Sequence, residues 1–192
     1  MNRKYIILDI ETSPLNLENY FEKEEEEKLK LLNPIDSKIV AIGLRYENKN
    51  YIFQSEDEKE ILTLFWEKWK EIKFGSPLIP VVGFNIIPFD MPFIVTRSFI
   101  QDIKIQSFSL KEIIDLRDKI NAYKYGKTRG KLKEFAEIVG LEILDVNGSD
   151  VSKLCLEKDY ITLNKYLEKD LEITDELYKR AVRTNIININ RY

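Results

Sequence analysis

Lys4-Tyr5-Ile6-Ile7-Leu8-Asp9-Ile10-Glu11 is a short, nearly continuous apolar run that ends in two carboxylates two residues apart. Such a run predicts a strand buried on both faces, with Thr12-Ser13-Pro14 ending it. A doubly buried strand needs helices on each side of its sheet, which points to an α/β fold. Successive side chains alternate across a strand, so Asp9 and Glu11 project from one face. They stand at the C-terminal end, where sites in α/β proteins usually open. Two charges following a buried strand need partners, and a divalent cation would supply them. The competing reading is an edge pair facing solvent.

Outward from that strand, Lys38 to Tyr46 and Tyr51 to Gln54 read as strands joined by the polar turn Glu47-Asn48-Lys49-Asn50. Between them and the first strand, residues 20–32 carry Glu22 and Glu24 to Glu27 with interspersed Lys, as expected of a solvated helix in an insertion. Ile61, Leu62, Phe65, Trp66, Trp69 and Ile72 recur at helical spacing over Glu56 to Ile72, so both tryptophans are core residues before they are a stacking platform. Leu78 to Val82 predicts a strand and Met91 to Phe99 a helix. Ile103 to Leu116 is ambiguous, with at least one strand. Lys131 to Val139 is an amphipathic helix stopped by Gly140. A short helix over 150–156 follows the Asn147-Gly148-Ser149 loop, and a long one covers Asp159 to Arg183. The order implies a mixed sheet with helices packed on it, in one domain across 1–192.

Composition removes many chemistries. The 192 residues contain no histidine, so a His general base, a Ser-His-Asp or Cys-His nucleophile and a His-ligated metal are all excluded. The lone Cys155 permits no intramolecular disulfide and suits a reducing cytosol. A formal charge of -3 argues against wholesale coating of a phosphate backbone, though not against a local basic groove. Pro77, Pro80, Pro88 and Pro92 interrupt the most apolar stretch, so no membrane span is expected and the location expected is cytoplasmic. Hydrolytic chemistry here must run on carboxylates, tyrosine, lysine and metal-bound water.

Two further carboxylate sites fit that requirement. Asp90 closes Asn85-Ile86-Ile87-Pro88-Phe89-Asp90, near a helix start where a carboxylate is favoured. An ordinary helix N-terminus also explains it. Asp170 lies one helical turn after Tyr166, on the face that Leu163, Ile173 and Leu177 mark as buried. An Asp directed into a core is costly unless paired, hydrogen-bonded or metal-bound. Asn-x-x-x-Phe-Asp is the rarest of the patterns: 13 Asn, 10 Phe and 12 Asp in 192 residues give about 0.04 chance occurrences.

In this order, Asp9-Ile10-Glu11-Thr12, Asn85 to Asp90 and Tyr166-Leu167-Glu168-Lys169-Asp170 resemble the motifs of the DnaQ-like (DEDDy) 3′–5′ exonucleases of the ribonuclease H-like superfamily. The likeness is greatest to the proofreading domains of family-B DNA polymerases and their stand-alone relatives, which Asn147-Gly148-Ser149-Asp150-Val151 also resembles. The acidic insertion and the proline of the second motif are departures that remove no catalytic residue.

The resemblance implies a mixed five-stranded sheet flanked by helices, and a metal-dependent 3′–5′ exonuclease acting on single-stranded DNA, in repair or replication. An exoribonuclease and a silent nucleic-acid-binding module are the alternatives. Asp9, Glu11, Asp90 and Asp170 would hold two divalent cations, Mg²⁺ or Mn²⁺, and Tyr166 would orient the attacking water. Thr12, Asn85 and Phe89 would meet the strand, though Phe89 could equally be core. Lys133 would contact the scissile phosphate, with Lys131 its rival and a solvated surface lysine the plainer reading. Tyr123, Lys124, Tyr125, Lys127 and Arg129 interleave aromatic and basic residues, as one wall of a nucleic-acid groove would or as a polar loop would.

Overall fold

The computed structural model describes residues 4–76, 78–124 and 130–190. The opening run forms strand β1, Ile6–Pro14. It continues through Thr12-Ser13-Pro14, contrary to the expected stop, because an antiparallel neighbour claims those residues. That neighbour, β2 (Ser37–Tyr46), pairs Ile39, Lys38 and Ser37 with Thr12, Ser13 and Pro14. Glu11 faces Ala41 while Thr12 faces Ile39, so Val40 is the extra residue of a bulge beside the carboxylates.

Strand β3 (Lys49–Gln54) closes a hairpin with β2 through Glu47-Asn48 alone. Both turn residues have positive φ, 48° and 64°, the backbone whose twist matches that of the strands. The turn is thus two residues shorter than expected. Strand β4 (Val81–Gly83) runs parallel to β1, and β5 (Ile113–Asp115) parallel to β4. Among the described residues the sheet is mixed and five-stranded, in the order β3-β2-β1-β4-β5.

The helices are α1 (Glu25–Lys30), α2 (Glu58–Lys73), α3 (Asp90–Ile100), α4 (Leu116–Ile120), α5 (Leu132–Ile138), α6 (Val151–Leu156) and α7 (Tyr160–Arg183). The acidic stretch is a 3₁₀ turn at Tyr20–Glu22 followed by the six residues of α1, none of them buried. It is solvated as expected, but a much shorter helix than 20–32. No helix among the described residues is long and apolar enough to cross a membrane.

Period 2 in β1 builds both layers. Ile6, Leu8 and Ile10 join Ile42 and Leu44 of β2 under α2 and α3, and Trp66 and Trp69 sit in that layer, 2% and 1% exposed. On the opposite face, Ile7 and Val82 pack against Leu171 and Leu177 of α7. Beside them Val40 and Ala41 meet Leu163, Tyr166 and Leu167. Gly43 lets α7 come this close, since a Cβ there would stand 2.8 Å from Leu171 Cδ1 and 3.0 Å from Leu167 Cγ.

Candidate active site

Asp9 and Glu11 share the face of Ile7, so they lie under α7. The i, i+4 stacking of α7 brings Tyr166 and Asp170 over them together. Carboxylate oxygens of Asp9, Glu11 and Asp170 all lie within 4.8 Å of one another. Glu11 and Asp170 are buried and Asp9 is half-buried. The buried ion pairs of the described residues lie elsewhere, at Arg45–Asp175, Lys73–Glu112 and Arg97–Glu58. Asp170 Oδ1 is buried and has no hydrogen-bond partner in the protein.

Three close oxygen donors with one orphaned buried oxygen fit a hard divalent cation, which takes carboxylate ligands. Electrostatics carry the same mark. Burial and then the charges of Asp90, Glu11 and Asp170 hold the Asp9 carboxyl well above its usual range. Burial and then Asp170 and Asp90 do the same to Glu11, with Lys133 opposing. Asp170 is pushed up to about 6 by burial, against the pull of Tyr166 and Lys133. The Tyr166 phenol is driven far above its ordinary value by burial and by Glu11, Asp170 and Asp9.

Asp90 is the first residue of α3 and 2% exposed. Its Oδ1 accepts from Ile10 N at 3.1 Å, the amide between Asp9 and Glu11. The helix-start carboxylate is therefore aimed at β1. It stands outside the close trio, yet near enough for its charge to act on both strand carboxylates. Burial raises its own pKa to about 7.

Lys133 does not stand free in solvent. Its Nζ donates to Leu144 O at 3.0 Å and lies 4.9 Å from the Tyr166 ring centre, a cation–π distance. Lys131, the rival, is exposed at the start of α5. Thr12 is buried beside the bulge. Phe89 is half-buried, packs against the core and lies 4.9 Å from the Phe93 ring, which makes it partly a core residue. Asn85 adopts φ 65°, and its Oδ1 accepts from Arg117 Nη1 at 2.9 Å. Of the aromatic and basic segment, Tyr123 is half-buried and Lys124 exposed, while Tyr125, Lys127 and Arg129 lie outside the described residues.

The sequence reading missed Asp115 and Arg117. Asp115 ends β5, is 4% exposed, and accepts from the backbone amides of Asn85, Ile87 and Asp118 at 3.1 to 3.2 Å. It fixes the loop that leads into Asp90. The signal available was an Asp after two isoleucines, in a segment too short to show a period.

Comparison with known proteins yields a consistent set. A family model described as "DNA polymerase family B, exonuclease domain" matches residues 14–154. The match takes in Asp90 and Lys133, while Asp9, Glu11, Tyr166 and Asp170 lie on either side of it. An uncharacterized protein of Methanocaldococcus jannaschii, MJ0365, is 30% identical over 167 residues, spanning 81% of this chain and 92% of its own. In fold, the chain is similar to the family-B DNA polymerase of the hyperthermophilic archaeon Pyrobaculum calidifontis, with a TM-score of 0.71 at 17% identity. That superposition covers 97% of this chain and 25% of the polymerase, so the chain spans a quarter of that protein's length.

Proposed function

We propose that this chain, which belongs to the family of exonuclease domains of family-B DNA polymerases, is a metal-dependent 3′–5′ exonuclease that removes mononucleotides from single-stranded DNA, in repair or replication. The observation that carries the reading is the close trio of Asp9, Glu11 and Asp170, with a buried oxygen of Asp170 left without a partner. Asp9, Glu11 and Asp170 would hold one divalent cation, Mg²⁺ or Mn²⁺, and Asp90 would complete the set for a second. Bound cations of this kind would supply an electrophile for the phosphate and lower the pKa of the attacking water.

The chain's own residues do the rest. Tyr166 keeps its proton at neutral pH, because burial and three carboxylates oppose its ionisation. It therefore acts as a hydrogen-bond donor that orients water, and cannot be the base. Lys133, held between Leu144 O and the Tyr166 ring, places a positive charge at the edge of an acidic cluster. That charge favours a phosphate beside carboxylates that would otherwise repel it. Asp90 fixes the strand amide between the two β1 carboxylates, which limits their movement when a polyanion approaches. Thr12, Asn85 and Phe89 would meet the incoming strand.

The test is an oligonucleotide labelled at its 5′ end, offered as single-stranded DNA and as RNA of the same sequence, with Mn²⁺ present. The expected product is a ladder shortening from the 3′ end, faster on DNA. Internal cuts, or a preference for RNA, would replace the respective part of this reading.

A further inference from the structure

Five of the six glycines among the described residues have a structural reason to be glycine. A Cβ at Gly43 would strike Leu171 and Leu167, one at Gly83 would stand 2.7 Å from Ile86 Cβ, and one at Gly130 would stand 2.2 Å from Phe135 Cε2. Gly75 and Gly140 have φ of 75° and 81°, a conformation that suits glycine. Gly148 has neither reason. Its φ is not left-handed, and a Cβ there would meet a single atom within 4 Å, the Tyr166 hydroxyl at 4.0 Å.

The surroundings hold Gly148 in place. Asp150 N donates to Asn147 O and Asn147 N to Asp150 Oδ2, both at 2.8 Å, which closes the turn around Gly148 and Ser149. The next residue, Val151, is fully buried against Leu163 and Tyr166, and Ser152 Oγ accepts from Ser13 Oγ at 3.4 Å. Upstream, Leu144 O is the acceptor for Lys133. Lys133, Tyr166 and the Cα of Gly148 therefore stand together on one side of the carboxylates.

We propose that Gly148 is a substrate-positioning residue: its missing side chain keeps open the space beside the Tyr166 hydroxyl, where the sugar–phosphate of the terminal nucleotide approaches the backbone closely. A glycine free of both constraints at the edge of a site suits the close approach of a ligand to its backbone. This rests on the exonuclease reading above. Ordinary sterics set the scale, since a side chain longer than Ala would fill the gap next to the phenol.

The experiment is steady-state hydrolysis of a single-stranded DNA oligonucleotide by wild type, Gly148→Ala, Gly148→Ser and Gly148→Val. Melting temperature and Mn²⁺ binding are measured beside it. The expected result is a graded loss of kcat/KM with side-chain size, reaching tenfold or more for Gly148→Val. Melting within about 2 °C of wild type and unchanged Mn²⁺ affinity should accompany it, since the added atoms meet open space. Full activity in Gly148→Val would overturn the proposal, and so would a melting temperature that falls with the size of the side chain. An inactive wild type would refute the exonuclease reading itself, which keeps the two failures apart.

Discussion

At the residue scale the acidic trio makes a specific demand on proton and metal linkage. Asp170 has a folded-state pKa of about 6 against an ordinary 3.8. A raised pKa means the metal-free fold binds the proton more tightly than the unfolded chain does. The contribution is full below pH 3.8 and is lost as pH rises through 6. At about 1.4 kcal/mol per unit, the loss amounts to at most about 3 kcal/mol. In EDTA, Asp170→Asn should therefore gain stability relative to wild type between pH 4 and 7. Adding Mn²⁺ should reverse that order at pH 7.5, because only the wild type offers the orphaned carboxylate oxygen as a ligand. Thermal melts in EDTA at pH 4 and 7.5, and in Mn²⁺ at pH 7.5, check this. A variant that is less stable than wild type in EDTA at pH 7.5 would count against the repulsive cluster. Tyr166→Phe should slow turnover while leaving Mn²⁺ binding unchanged, as expected of a water-orienting donor.

At the scale of elements, two packing devices hold the site. Gly43 allows α7 to lie close on β2, and Gly43→Val would drive Leu171 and Leu167 away. Overpacking of this kind costs typically about 1 to 3 kcal/mol. Because Asp170 and Tyr166 ride on the same helix, a lowered melting temperature should come with lost activity at temperatures where the variant is still folded. The second device is the Glu58–Arg97 pair, 2.5 Å apart and buried. Glu58 Oε1 also accepts from Ile39 N at 2.7 Å, and Arg97 donates to Pro34 O at 3.1 Å. The pair therefore pins the start of β2 beside the bulge opposite Glu11. Glu58→Ala leaves Arg97 buried and unpaired, so a loss of about 3 to 5 kcal/mol is expected in denaturant unfolding.

These elements also mark how far the sequence could be read. β1 was legible as an apolar run closing in Asp9 and Glu11, and α7 as a helical period that puts Tyr166 and Asp170 on one face. The Asn85 to Asp90 motif was legible because its composition is rare. The bulge at Val40, the three amides on Asp115 and the bond from Ile10 N to Asp90 were not. Each joins residues at least about 28 positions apart, or depends on a strand of three residues, too short for any period. The stop expected at Thr12-Ser13-Pro14 erred in the same way, since local turn chemistry gave way to pairing with Ser37 to Ile39.

At the scale of the whole molecule the formal charge is -3, and the site concentrates carboxylates where a polyanion would have to arrive. Binding of single-stranded DNA should therefore depend on divalent cations more than on salt alone. Fluorescence anisotropy with an oligonucleotide carrying phosphorothioate linkages at its 3′ end should show affinity at least tenfold tighter in Mn²⁺ than in EDTA. Equal affinity in both would place the strand on some other surface. The fold itself, a mixed sheet with α7 across one face, is shared at 0.71 TM-score with part of a polymerase four times as long.

The most direct measurement compares wild type and Asp9→Ala on single-stranded DNA in a Mn²⁺ titration, with circular dichroism confirming that both are folded. Metal-dependent shortening from the 3′ end by the wild type, reduced at least a thousandfold in Asp9→Ala, is the expected result. A folded Asp9→Ala protein that still cuts at the wild-type rate, or a wild type equally active in EDTA, would contradict a carboxylate-held metal as the source of the chemistry.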